Sequence, residues 1–175
     1  MKDNFLNKNN NIKELEIDIE KVLNNIYPKN QQVKIRDTTP EVLLNSNVKN
    51  LPMLITQRHI KSIIYSLKEA KKLKLPTKNI NFHGLGKGLF LEVINNLDNP
   101  KAVYKKDNNN YIIITEFMDI FNREIIIPIQ TNGKGLYNNK YIEENQIKSV
   151  YGRNNLQNYL IMNNFEQIYK KKHLP

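Results

Sequence analysis

Apolar residues first recur at helical spacing near the N-terminus, where Ile12, Leu15, Ile19, Val22, Leu23 and Ile26 fall three or four apart. Side chains at that interval share one helix face, so the pattern predicts an amphipathic helix ending before Pro28. Residues 1–11 have no period and are rich in Asn and Lys, which reads as a disordered polar tail. Val33–Arg36 reads as a short strand. Thr39-Pro40 sets an N-cap hydroxyl before a proline at the first helical position and predicts a short helix over 40–44. A strand at Met53–Ile55 leads to Thr56, a second N-cap candidate. Ile60, Ile63, Ile64, Leu67 and Ala70 then form the stripe of a single helix of about four turns, closed by Pro76.

The segment His83-Gly84-Leu85-Gly86-Lys87-Gly88 is a glycine-rich turn opening a helix with Leu89, Phe90, Val93, Ile94 and Leu97 on its apolar side. Asp98-Asn99-Pro100 stops it, and the period then shortens to that of strands. β-Branched and aromatic runs at Ala102–Lys105, 111–117, 124–130 and 146–151 are predicted strands, with a tight turn at Asn132-Gly133-Lys134-Gly135. A helix over 155–163 and a strand at Glu166–Lys170 complete the chain. Helices first and a meander afterwards imply an α+β fold, with N-terminal helices packed on a mainly antiparallel sheet in one domain over 12–175.

Composition narrows the function classes. A chain of 175 residues can bury a core of its own, and no apolar run approaches the length that crosses a bilayer. The N-terminus is polar where a secretory leader would be apolar, so a cytoplasmic location without a membrane is expected. Absence of cysteine excludes disulfides, thiolate metal sites and a cysteine nucleophile. The net charge of +10 points to a polyanion, although an Asn-, Lys- and Ile-rich composition inflates Lys by itself. Distribution is more informative. Residues 51–100 hold eight basic against three acidic residues, and residues 151–175 hold four against one. Each of those blocks carries a candidate site.

The first candidate is the histidine pair. His59 and His83 both stand at helix starts in the basic block, while His173 follows three lysines at the terminus and reads as solvated. Imidazoles suit proton transfer near neutral pH. No His-x-x-x-His spacing or acidic ligand set accompanies them, so no metal site is expected. The second candidate is Ser149-Val150-Tyr151-Gly152-Arg153, where alternation puts both hydroxyls on one face and Val150 in the core. Arg153 then offers a fixed fork for phosphate. The glycine run at 84–88 fails the Walker spacing and the dinucleotide fingerprint, so no nucleotide cofactor is expected. Lys87 could still meet a nucleic-acid phosphate there. Asp18/Glu20 and Glu143/Glu144 read as solvated faces.

Taken in order, the motifs resemble one family. They are Asp37-Thr38-Thr39-Pro40, Leu51-Pro52-Met53, Thr56-Gln57-x-His59, His83-Gly84-Leu85, Asn99-Pro100, Pro128, Asn132-Gly133-Lys134-Gly135, Asn145 and Ser149-Val150-Tyr151-Gly152-Arg153. This series, over about residues 33–170, is similar to the phage MuF C-terminal domain, which is compared with the barnase–EndoU–colicin–RelE class of metal-independent ribonucleases. The resemblance implies a barnase- or RelE-like fold and a ribonuclease of mobile-element or phage toxin type. His59, His83, Ser149 and Tyr151 would be its catalytic groups, and Arg58, Lys61, Lys87 and Arg153 its RNA contacts. RNA is the expected partner, with a cognate inhibitor or immunity protein as a second. The competing expectation is a non-catalytic module that binds nucleic acid or protein on the same face.

Overall fold

The computed structural model describes residues 2–172, and of residues 2–10 only the backbone of the first helix. The tail expected at 1–11 and the solvated His173 therefore fall, but for Asn11, outside the residues whose side chains are described. Helix α1 (Lys2–Leu23) buries Leu15, Ile19 and Val22. It ends before Ile26, which is left exposed. Asn25 takes a left-handed φ of 58°, and this lets the Ile26 N–H reach back to the Lys21 carbonyl at 2.9 Å and close the last turn.

After β1 (Val33–Arg36), α2 (Glu41–Leu44) and β2 (Met53–Ile55), the expected four-turn helix is two. These are α3 (Gln57–Ile64) and α4 (Leu67–Lys72). The break has a local cause. Ser66 and Glu69 form a capping box, each side chain satisfying the other's backbone N–H, and Tyr65 is extended to allow it. The Thr56 hydroxyl caps α3 by accepting from the His59 N–H at 3.2 Å. Thr39 does not cap α2. Its buried hydroxyl instead accepts from the Leu51 N–H at 3.1 Å and from Asn145 Nδ2 at 2.8 Å.

Helix α5 (Gly86–Asn95) precedes β3 (Ala102–Lys105), β4 (Asn110–Met118), β5 (Glu124–Tyr137), β6 (Lys140–Ile147), β7 (Tyr151–Arg153), α6 (Leu156–Met162) and β8 (Glu166–Lys170). The fold is α+β, with an open eight-stranded sheet in the order β1-β2-β6-β5-β4-β3-β8 and β7 beside β5. All pairs are antiparallel except β2 with β6. One face packs Ile113, Ile125, Ile127 and Ile129 against Ile19, Ile60, Ile63 and Phe90 of the helices. The other packs Ile112, Ile114 and Ile126 under Leu156 and Leu160 of α6. Strict period-2 alternation is blurred here because both faces are covered.

Two departures in β5 shape the molecule. Asn132-Gly133-Lys134-Gly135 is not a turn but lies within the strand. Asn132, at φ 58°, sits where the pairing with β6 slips by one residue, as in a β-bulge. The turn comes later, at Asn138 and Asn139, both with positive φ. Gly135, with no Cβ, leaves the space that the Gln32 and Glu144 side-chain ends occupy.

The second departure is Pro128. Its carbonyl accepts from the Lys148 N–H at 2.9 Å, so its missing N–H would have pointed at the same neighbour. The proline nitrogen can donate no ladder bond there, and the neighbouring strand divides into β6 and β7 with residues 148–150 stepping between them. Val150 stays in the core, Lys148 holds its N–H on Pro128, and Ser149 leaves the ladder.

Candidate functional site

The only parallel pair described, β2 and β6, runs its carboxyl ends the same way, with Leu54 beside Gln146. Beyond one end begins α3 with Arg58 and His59. Beyond the other comes the 148–150 step. A cleft of about 280 Å³ opens between them. His59, His83, Ser149, Tyr151, Arg58 and Arg153 all line it. Six of the eight residues named from sequence are thus brought together across more than 90 positions of chain.

His83 is set by backbone chemistry. The carbonyls at the end of α3 have no partners within the helix, and the loop ahead of α5 supplies them. The N–H groups of His83, Gly84 and Leu85 donate to the carbonyls of Ser62 at 2.8 Å, Tyr65 at 2.9 Å and Ile63 at 2.9 Å. Gly84 has φ +66°, and a Cβ on it would press on Ser66, so glycine is favoured at this approach. The His83 ring then stacks on Tyr151, with centroids 4.9 Å apart and planes 16° from parallel. Its Nε2 lies 3.2 Å from Ser149 Oγ.

Electrostatics bias both imidazoles toward the neutral form. Burial, aided by the Arg123 charge and by His59, pulls His83 down to about 4. Burial also lowers His59, with Lys148 and Arg58 adding to the effect. His59 Nδ1 is buried without a hydrogen-bond partner, an arrangement that costs free energy and is retained at sites with other uses. Burial raises the Tyr151 phenol, which stays protonated at neutral pH. The residues lining the cleft include Arg58, Lys148 and Arg153 but no carboxylate. Such a lining favours an anion over a cation. It also leaves the Ser149–His83 pair without the acid that orients histidine in a serine-nucleophile triad.

Behind β7, outside the cleft lining, lies a staple. Asp119, 3% exposed at its side chain, pairs with Arg123 Nη2 at 2.6 Å and Nε at 2.7 Å, and accepts from the N–H groups of Phe121 and Arg123. A Cβ on Gly152 would strike that carboxylate. Gly152 therefore lets the β4–β5 turn close on the strand that presents Tyr151 and Arg153.

Two named residues lie elsewhere. Lys87 pairs with Glu20 and, at 3.4 Å, with Glu16 on α1. Lys61 donates to Asn25 and faces a neighbouring pocket. Sequence reasoning missed Lys148 and Asn81, which line the cleft. The signal for Lys148 was present in Pro128, since a proline in a core strand marks where its neighbour leaves the ladder. Several motif residues are structural. Asn145 is fully buried and donates to Thr39 Oγ1 at 2.8 Å and to the Lys49 carbonyl at 3.0 Å, while accepting from the Asn132 N–H at 3.1 Å. It ties the 37–52 loop to the β5 bulge. Glu144 is buried rather than solvated, and burial raises its carboxyl.

Among the described residues, no three His, Asp or Glu side chains stand close enough to hold a metal ion, and no helix is long and apolar enough to cross a membrane. A family model, the phage MuF C-terminal domain, matches residues 74–174. The matched stretch contains His83, Ser149, Tyr151 and Arg153, and begins after Arg58 and His59. No curated protein and no solved structure matches the chain.

Proposed function

Because the chain belongs to the phage MuF C-terminal domain family, we propose that it is an endoribonuclease, of phage or mobile-element toxin type, that cleaves RNA by histidine acid–base chemistry without a metal ion. The observation that supports this best is the cleft itself. Two imidazoles and the hydroxyls of Ser149 and Tyr151 share the lining with three cations and no carboxylate. A phosphodiester is the substrate that such a lining fits.

The steps follow from the protonation states. His83, neutral above about pH 4, takes the proton of a ribose 2′-hydroxyl at Nε2, while Ser149 Oγ turns from that nitrogen to a phosphate oxygen. The 2′-oxygen attacks phosphorus and the bond to the 5′-oxygen breaks. His59 donates a proton to that leaving oxygen, having gained it when the phosphate charge entered the cleft. Tyr151, Arg58, Lys148 and Arg153 bind the phosphate oxygens as charge builds on them. The products are a 2′,3′-cyclic phosphate and a 5′-hydroxyl.

The pH dependence of kcat/KM tests this reading. It reports the free enzyme, in which the base titrates near 4 and the acid lies below the ordinary histidine value. The rate should rise through about 4 and fall before about 6.5, the unperturbed value. His83→Ala should remove the acidic limb, His59→Ala the alkaline one, and each should lower kcat/KM by about 100-fold or more. A profile flat from about pH 4 to 8, or variants as active as the parent, would contradict it.

A further inference from the structure

The cleft is the middle of three adjoining pockets. Arg58 and Ile80 line both it and a pocket of about 490 Å³ that also presents Phe82, Lys61 and Lys78. On the other side Lys148 lines both the cleft and a pocket of about 270 Å³ walled by Tyr159, Phe165 and Lys106. Each boundary is therefore marked by a cation, and each outer pocket holds an aromatic ring. The rings on the second side already carry cations. The Arg153 guanidinium lies 3.8 Å from the centroid of Tyr159, and Lys106 Nζ 5.9 Å from that of Phe165. Tyr159 and Phe165 are themselves only 6.1 Å apart, tilted by 35°. The one carboxylate in the set, Asp107, is occupied by the N–H groups of Asn109 and Asn110.

We infer that this row is a binding track for single-stranded RNA, in which the nucleotides flanking the cleft stack their bases on Phe82 on one side and on Tyr159 or Phe165 on the other. Alternating cations and aromatic rings is the arrangement by which proteins hold unpaired strands, since phosphates follow the charges and every base has a face that stacks. A duplex keeps its bases inside and offers only its backbone and a shallow groove, so it could not use the outer pockets. The inference rests on the ribonuclease reading for the kind of polymer and goes beyond it in fixing the strand state and the flanking contacts. It also gives Lys61 a place, at the edge of the Phe82 pocket.

The test uses 2′-O-methyl RNA, which has no free 2′-hydroxyl to be cleaved, so binding is read apart from catalysis. Fluorescence anisotropy with the full chain should show a labelled single-stranded pentamer binding at least tenfold tighter than a mononucleotide and than a blunt duplex of the same sequence. Phe82→Leu and Tyr159→Leu should each weaken the pentamer about tenfold, in line with the loss of one stacked base. Since Tyr159 lies on α6 and also packs against the core beneath that helix, Lys106→Gln on the exposed rim is the control that keeps the fold. It should weaken binding and reduce the salt slope by about 0.7. Duplex binding as tight as single-strand binding, or a pentamer indifferent to Phe82→Leu and Lys106→Gln, would overturn the track. Cleavage of unmodified RNA with those results would leave the ribonuclease standing and remove only the track. Track-dependent binding with no cleavage would do the reverse.

Discussion

At the scale of single residues, His83 carries two loads. Its backbone N–H ends α3, and its ring sits between Tyr151 and Ser149 in a site that disfavours the imidazolium. The second load makes stability depend on pH with a definite sign. In the unfolded chain the imidazole titrates near 6.5, and in the fold at about 4. Between those values the unfolded state holds more protons, so the His83 contribution is complete above about 6.5 and is lost as pH falls toward 4. His59 is lowered as well and acts in the same direction. Urea midpoints measured at several pH values across that window should fall more steeply for the parent than for His83→Gln, which keeps a polar partner for Ser149 but does not titrate. Parallel slopes would show that His83 is not the group responsible.

At the scale of elements, much of the site depends on groups far from it. Asn145 holds the 37–52 loop to β5 through three hydrogen bonds in a fully buried place. Asn145→Ala would remove these three hydrogen bonds, leave the Asn132 N–H without its acceptor, and should cost about 3 kcal/mol. Ser66→Ala, which removes only the α4 cap, should cost about 1 kcal/mol. Chemical denaturation distinguishes the two, and equal losses would contradict the role given to Asn145. These elements also show where the sequence misled. The stripe from Ile60 to Ala70 reads as one helix because periodicity is blind to a capping box, although Ser66-Leu67-Lys68-Glu69 spells one. Asn132-Gly133-Lys134-Gly135 reads as a turn because a bulge and a close approach demand the same residue types as a turn.

For the whole molecule, the α+β class and most strands could be read from the chain, because the change of period after Pro100 is abrupt. The polar stretch 140–145 that forms most of β6 was not assigned. The site was readable in part. His59, His83, Ser149 and Tyr151 were identified as polar residues at element ends, and the parallel β2–β6 pair brings those ends together. Lys87 was misplaced because a lysine beside a glycine-rich turn looks the same whether it faces a ligand or, as here, Glu16 and Glu20 of α1. The two outer pockets were not readable at all, since one sets α3 against the loop at Phe82 and the other sets β4 and β5 against α6, through tertiary packing alone.

The central claim is cleavage by the 2′-hydroxyl without a metal ion. It is tested most directly by incubating the purified full chain with a defined single-stranded RNA in excess EDTA and determining the new ends by mass spectrometry. The parent should leave 2′,3′-cyclic phosphate and 5′-hydroxyl ends, and His83→Ala should leave the RNA intact. Cleavage only when a divalent ion is restored, ends bearing 5′-phosphate, or intact RNA with the parent itself would contradict it.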